Sequence, residues 1–232
     1  MLNVLITGAN RGIGLALVRR YAEVGHRVFA CCRAPGAADA LNAFAGDHDG
    51  VSVHVLEVSD GNSVAALARE LDGAPIDILI NNAGMSPPRE AQTLDNMDYD
   101  AWAEAFAVNS MAPLRMLQAL RPNLEASGAA PPKAITISSQ LGALSLNMPM
   151  GYAYSSSKAA VNKVMRMASA ELKDDGIAVG ILHPGWVQTD MGGAQAQITV
   201  EESAAGIFDV IDHLTLEDTG CFRTWEGSVH EW

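Results

Sequence analysis

At 232 residues, 49% of them apolar, the chain has enough material to bury a full core, and it suits one large α/β domain spanning residues 1–232 better than two small ones. A formal net charge of −12, with acids scattered and no basic run, argues against nucleic acid and against an anionic membrane surface, which leaves small-molecule chemistry. Three cysteines, with Cys31 and Cys32 adjacent, neither frame disulfides nor show metal-ligand spacing, so no metal is expected and a reducing compartment is.

Leu2 to Thr7 is a short apolar run with no charged leader and no cleavable apolar region before it. No apolar run approaches membrane-spanning length, and a cytoplasmic location is expected. The run stops at Gly8-Ala9-Asn10-Arg11-Gly12-Ile13-Gly14, after which Ile13, Ala16, Leu17, Tyr21 and Val24 recur at helical spacing up to Gly25. The pattern reads strand, glycine turn, helix. Glycine lets the backbone take positive φ and approach a ligand closely, and a helix N-terminus offers free N–H groups to a phosphate. The G-x-x-x-G-x-G spacing departs from the G-x-G-x-x-G dinucleotide fingerprint, and an ordinary turn would also use glycine.

Arg27 to Cys32 predicts a second strand, whose end would meet an adenosine ribose in a nicotinamide-binding fold. No acid stands there to accept from a 2′-hydroxyl. Arg33, helped by Arg11, offers instead the planar donors that match a 2′-phosphate, which favours NADP(H), with NAD(H) as the alternative. Val51 to Val55 and Ile76 to Ile80 predict the third and fourth strands, with a helix from about Asn62 to Leu71 between them and Asn81-Asn82-Ala83-Gly84 after the fourth. Strands and helices alternating at this spacing imply right-handed crossovers and a parallel, doubly wound sheet whose ligand lies beyond the carboxyl ends of the strands.

One long helix is expected from about Tyr99 to Leu124. Within it Pro113 has no N–H for the carbonyl of Asn109, so the helix bends there; the freed carbonyl either holds a water or is merely part of a kink. Ala134 to Ser138 predicts a fifth strand, and Ser139 lies where it opens into the loop from Gln140 to Tyr152. Its hydroxyl can donate to a substrate carbonyl or simply end the strand by bonding its own backbone. Val179 to Leu182, a helix from about Glu201 to His213 and a short strand near Cys221 to Thr224 bring the sheet to about seven strands with helices on both faces.

Between the fifth and sixth strands, Tyr154 and Lys158 stand four residues apart at the head of a helix whose apolar face carries Val161, Val164, Met165, Ala168 and Leu172. A phenol ionises near pH 10. Bringing it to about 7 takes roughly 3 units, about 4 kcal/mol of differential stabilisation, which is more than one solvated lysine supplies. A bound cationic cofactor ring and low local polarity would have to contribute.

The ordered set Thr7-Gly8-x-x-x-Gly12-x-Gly14, Asn81-Asn82-Ala83-Gly84, Asn109, Ser139, Tyr154-x-x-x-Lys158 and Pro184-Gly185 resembles the short-chain dehydrogenase/reductase family from end to end. Within it, the segment His183 to Gly193 is similar to the subgroup holding C-factor-like proteins and sniffer-type carbonyl reductases. The resemblance implies a single-domain Rossmann-type fold with Tyr154 as general acid. Lys158 would lower the tyrosine's pKa and hold the nicotinamide ribose, Ser139 would orient the carbonyl, and Asn109 would keep the water of a proton relay. It further implies that Gly8, Asn10, Arg11, Gly12, Ile13 and Gly14 line the pyrophosphate and adenosine side, with Arg33 and Val58 beyond them. Asn81, Ala83, Gly84, Pro184, Gly185, Val187 and Thr189 would run along the rest of the cofactor, with Tyr154 and Lys158. Glu57 stands where the family usually has aspartate, and the serine-to-tyrosine separation leaves Ser138 as an alternative to Ser139.

Gln140, Trp186 and Met191 are expected to border an apolar, adaptable substrate pocket, open enough for small aldehydes, ketones or quinones. A C-factor-like signalling protein and an NAD-dependent alcohol dehydrogenase are the alternatives. A signalling protein has no physical need of the tyrosine, lysine and serine together, and the missing acid beside Arg33 argues against NAD. Nucleotide-sugar epimerases share the cofactor fold, but the chain has no room for their additional substrate domain. The family's usual homodimer or homotetramer is implied as well.

Overall fold

The computed structural model describes residues 1–232, in which seven strands form one all-parallel sheet. They are β1 (Asn3–Thr7), β2 (Arg27–Cys32), β3 (Val51–Val55), β4 (Ile78–Asn81), β5 (Lys133–Ile137), β6 (Ala178–His183) and β7 (Cys221–Thr224), in the spatial order β3-β2-β1-β4-β5-β6-β7. Seven helices connect them: α1 (Gly12–Glu23), α2 (Asp39–Gly46), α3 (Gly61–Glu70), α4 (Tyr99–Phe106), α5 (Ala112–Glu125), α6 (Tyr152–Leu172) and α7 (Val200–His213).

Alternation along the strands decides the layers. Leu5, Leu79 and Ala134 point to one face, where Leu67 of α3, Met116 and Leu120 of α5 and Val161 and Met165 of α6 cover them. Their neighbours Val4, Ile6, Ile78, Ile80 and Ile135 point to the other face, under Leu17 and Val18 of α1, Leu41 of α2 and Ile207 and Ile211 of α7. The result is the doubly wound arrangement expected from the sequence. The chain leaves β1 outward through β2 and β3, then returns to place β4 on the other side of β1 in register Leu5 to Leu79. That reversal opens a crevice beyond the carboxyl ends of β1 and β4, where such folds hold ligands. No helix is long and apolar enough to cross a membrane.

Two expectations are corrected, and one helix, α2, was not expected. It is only eight residues long, with Leu41 buried and Phe44 and Ala45 partly buried against the core, too short a stretch for its helical spacing to stand out. The fourth strand begins at Ile78, because Ile76 and Asp77 serve as its lead-in, their N–H groups bonding to Asn123 and Asn3. The helix expected from Tyr99 to Leu124 divides into α4 and α5 around a π-helical turn at Ala107–Met111, marked by the bond from the Ala112 N–H to the Ala107 carbonyl. A π turn inserts one residue into the helical register and is a common way to aim a side chain at a site. Here it carries Asn109.

Candidate active site

The glycine turn after β1 is built by close approach. Gly8 and Gly12 take φ of 64° and 53°, the left-handed region that favours glycine. A Cβ on Gly14 would lie 2.2 Å from the Gly8 carbonyl oxygen, and one on Gly8 would lie 2.9 Å from the Cα of Ala83. The turn is sewn to the end of β4 by Thr7, whose hydroxyl accepts from the N–H groups of Asn82 and Ala83 at 3.0 Å each. The Asn82 side-chain amide donates back to the carbonyls of Thr7 and Gly8 at 3.0 and 3.1 Å. Asn81 is buried and its amide reaches the Pro113 carbonyl at 3.5 Å. Val58 is buried nearby at the carboxyl side of β3.

The opposite wall comes from the chain after β6. Pro184 accepts from the Ser203 hydroxyl at 2.6 Å, Gly185 takes φ of 85°, and Val187 is buried in a bridge to Ile198. The Thr189 hydroxyl accepts from the Gly192 N–H at 3.0 Å, and its methyl would stand 3.4 Å from a Cβ on Gly12. Arg11 and Asp190, both exposed, close an ion pair of 2.5 Å between the two walls. Arg11, expected beside a 2′-phosphate, is therefore engaged across the mouth of the crevice, and Asn10 lies half-buried beside it. Arg33 is exposed, with its guanidinium 3.8 Å from the Glu57 carboxylate, which also accepts from the N–H and hydroxyl of Ser59.

Between these walls α6 presents Tyr154, half-buried, and Lys158, fully buried. Burial raises the phenol above its ordinary value, and the neighbouring Ser139 hydroxyl opposes the rise. Burial pushes the Lys158 ammonium down to about 8. Lys158 donates to the Ile137 carbonyl at 2.8 Å and lies 5.8 Å from the centroid of the Tyr154 ring. The expected lowering of the phenol by Lys158 is thus not produced by the protein's own side chains. Desolvation of the phenol is the dominant cause.

The two serines part company. Ser138 is buried and donates to Asn162 of α6 at 2.5 Å, whereas Ser139 meets Tyr154 and accepts from the Leu141 N–H at 3.1 Å. Asn109, buried on the π turn, accepts from the Met85 N–H at 2.9 Å and donates to the Met85 carbonyl and the Ser157 hydroxyl at 2.8 and 2.9 Å. It fastens the loop after β4 to α6. Gly84 belongs to the same cluster, since a Cβ there would lie 3.3 Å from Asn109 Oδ1 and 3.6 Å from Lys158 Nζ.

Gln92 is a site residue the sequence did not disclose. Its side chain is buried, its amide donates to the Pro87 carbonyl at 2.6 Å, and its Oε1 accepts from the Tyr154 N–H at 3.1 Å. It satisfies one of the free donors at the start of α6, which has no cap of its own. A lone glutamine in a polar loop gives no sequence signal for such a role. Gln140 is half-buried, while Trp186 and Met191 are exposed, with the indole N–H of Trp186 donating to Gly192 at 2.9 Å. A cavity of about 300 Å³ lies between α7 and the chain around β7 and shares no residue with this site.

A family profile described as short chain dehydrogenase matches residues 2–198. The C-signal protein of Myxococcus xanthus is 39% identical over 168 residues, 72% of this chain and 99% of that protein. The 1-hydroxy-2-glutathionyl-2-methyl-3-butene dehydrogenase of Rhodococcus sp. strain AD45 is 36% identical over 240 residues, all of both chains. Among solved structures, NADPH-bound carbonyl reductase from chicken fatty liver aligns with a TM-score of 0.92 at 37% identity, covering 99% of this chain and 98% of that one. Carbonyl reductase Sniffer of D. melanogaster aligns with a TM-score of 0.94 at 28% identity over the whole of both.

Proposed function

The chain belongs to the short-chain dehydrogenase family, and from that membership we propose that it reduces small aldehydes, ketones or quinones with NADPH, using residues 1–232 as one cofactor-binding domain in the cytoplasm. It is an oxidoreductase of that family, and NADP(H) is the cofactor its carbonyl-reductase neighbours carry. The observation that carries the reading is the placement of Tyr154, Ser139 and Lys158 beside a tightly packed glycine turn that has no room for a Cβ at Gly14.

The residues present fit the cofactor. Gly8 and Gly12, with left-handed backbone, and Gly14, with no Cβ to push against Gly8, let the turn close tightly before α1, whose free N–H groups would meet a pyrophosphate, and Arg33, with Arg11 once released from Asp190, would take a 2′-phosphate. Lys158 would hold the nicotinamide ribose, with Asn81, Ala83, Thr189 and Val187 along the walls. When bound, NADPH supplies the hydride. Tyr154 holds the proton that the carbonyl oxygen needs, since burial keeps the phenol protonated. Ser139, beside Tyr154, orients the carbonyl, and Asn109 fixes the distance between the loop after β4 and α6 while its helix turn offers a route for proton resupply. Gln140, Trp186 and Met191 border the substrate. Tyr99, Met111, Tyr152 and Met167 leave apolar surface exposed on the α4 to α6 side, which supports a homodimer or homotetramer.

The test is oxidation of NADPH, beside NADH, with a panel of small aldehydes, ketones and quinones. Turnover that prefers NADPH is expected; a panel in which only one bulky steroid or sugar reacts would sink the broad specificity. Arg33→Asp should raise the KM for NADPH by roughly tenfold to a hundredfold and leave that for NADH nearly unchanged, as loss of a charge-assisted pair of bonds requires. Equal effects on both would remove the 2′-phosphate assignment. Ser139→Ala should lower kcat by roughly tenfold or more, while Ser138→Ala, which loses only its bond to Asn162, should act on stability by about 1 kcal/mol.

Likeness to C-signal favours a second reading, a cofactor-binding signalling protein. NADPH binding with no turnover on a widened panel would move the assignment there.

A further inference from the structure

Ser139 begins a short turn, and both ends of that turn are held by residues outside the site as described. The Gln140 N–H donates to Nδ1 of His183 at 3.2 Å, and the Ser145 N–H donates to the Trp232 carbonyl at 3.0 Å. His183, the last residue of β6, is buried, and as an acceptor at Nδ1 it must carry its proton on Nε2. Burial, with His230 close by, pushes its pKa down to about 4, which keeps that acceptor lone pair available at neutral pH.

The ring of His230 stands edge-on to His183 at 5.8 Å and lies 4.6 Å from Phe222, while the His230 N–H donates to the Phe222 carbonyl at 2.8 Å. Val229 bridges to Arg223 in the antiparallel sense, so this segment runs back along β7. Trp232 then packs on Phe222 at 5.4 Å and under the Arg166 guanidinium of α6 at 4.6 Å. One strap of chain, residues 228–232, thereby holds one end of the segment that carries Ser139 directly, at Ser145, and backs His183 at the other.

We propose that His183 is a positioning residue for Ser139, backed by the strap from Ser228 to Trp232, so that the residues after β7 set the height at which the serine hydroxyl meets Tyr154 and the substrate carbonyl. The inference rests on reading Ser139 as the carbonyl-orienting group. Without the His183 acceptor, the Gln140 N–H must find water or shift, and the adjacent serine moves with it. Without the Trp232 ring, the packing on Phe222 and Arg166 that holds its carbonyl against the Ser145 N–H is lost, the far end of the turn loosens, and the substrate side widens.

The experiment compares His183→Leu, which removes the acceptor, with His183→Asn, whose side-chain oxygen can replace Nδ1, and adds Trp232→Ala and Ser139→Ala, in the full chain. Each is assayed for NADPH-dependent reduction of benzaldehyde and menadione, for NADPH affinity by nucleotide fluorescence, and for Tm. The expected result is a fall of roughly tenfold in kcat/KM for the carbonyl in His183→Leu, with NADPH affinity unchanged and most of the loss recovered in His183→Asn. Trp232→Ala should raise the carbonyl KM by a few-fold with little change in kcat. Equal kcat/KM for the Leu and Asn variants, or native kcat/KM in His183→Leu, would overturn the proposal. If His183→Leu does not fold, native carbonyl KM in Trp232→Ala would overturn it instead. Should Ser139→Ala itself prove silent, the fault lies in the reading of Ser139; a damaging Ser139→Ala beside a silent His183→Leu condemns the positioning role alone.

Discussion

Replacing Tyr154 by phenylalanine is expected to lower kcat by about a thousandfold or more, within the range that a positioned general acid contributes, while NADPH affinity and Tm stay near those of the parent. The substitution removes one oxygen. The ring keeps its place, because the Tyr154 N–H remains bonded to Gln92 and Lys158 remains bonded to Ile137. Ser139 loses the hydroxyl beside it, so some of the lost rate belongs to a misaligned carbonyl and the two effects will not add in the double variant. The pH profile supplies a second check. Because the Lys158 ammonium is held down to about 8, the reductive rate should be full below that pH and fall as pH rises through it, when the site loses its cation. The residual rate of Tyr154→Phe should fall over the same range, since Lys158 and its bond to Ile137 are untouched. A variant that keeps more than about a tenth of the parent rate would remove Tyr154 from the role of acid.

Gly14→Ala is expected to be nearly as damaging by a route that has no chemistry in it. The new methyl would sit 2.2 Å from the Gly8 carbonyl oxygen and 2.6 Å from the Asn82 amide nitrogen, and the first of these is backbone that cannot swing aside. The glycine turn must open, which strains the protein by about 1–3 kcal/mol as overpacking does and misplaces the N–H groups that would meet a phosphate. NADPH affinity should drop by about a hundredfold, with a fall in Tm measured by calorimetry. Gly36→Ala is the control, since a Cβ there meets nothing within 4 Å, and it should leave both quantities unchanged. Similar behaviour of the two variants would mean that the cradle is not used.

How much of this could be read from the residues varied with the range of the interaction. Strands β1, β2 and β5 are largely apolar runs, β3 alternates valine with polar residues and β7 is a short mixed segment, and their positions follow from local pattern. Tyr154 and Lys158 are tied by helical spacing, so their common face was legible too. Helix α2 was not, because its eight residues turn Leu41, Phe44 and Ala45 to the core over too short a run to stand out. The π turn was hidden for a different reason: Pro113 announces an irregularity, but the register shift falls at Ala107–Met111, upstream of it, where Asn109 is drawn to Met85 and Ser157 by tertiary bonds. Gln92 and the partners of Arg11 were invisible for the same reason, as nothing within their own segments refers to α6 or to Asp190. The choice between Ser138 and Ser139 likewise needed the third dimension, in which Asn162 claims one and Tyr154 the other.

The Thr7 hydroxyl, with its two accepted bonds from the end of β4, also says when the protein can begin to work. Its partners Asn82 and Ala83 lie 75 and 76 residues along the chain, so the first helix and strand can form long before the turn between them has anything to hold its shape. Docking β4 on β1 closes that long loop, and contacts of such separation are made late and slowly in folding. In a refolding experiment, helix content should therefore recover ahead of nucleotide binding, and the interval between them is the time β4 takes to arrive.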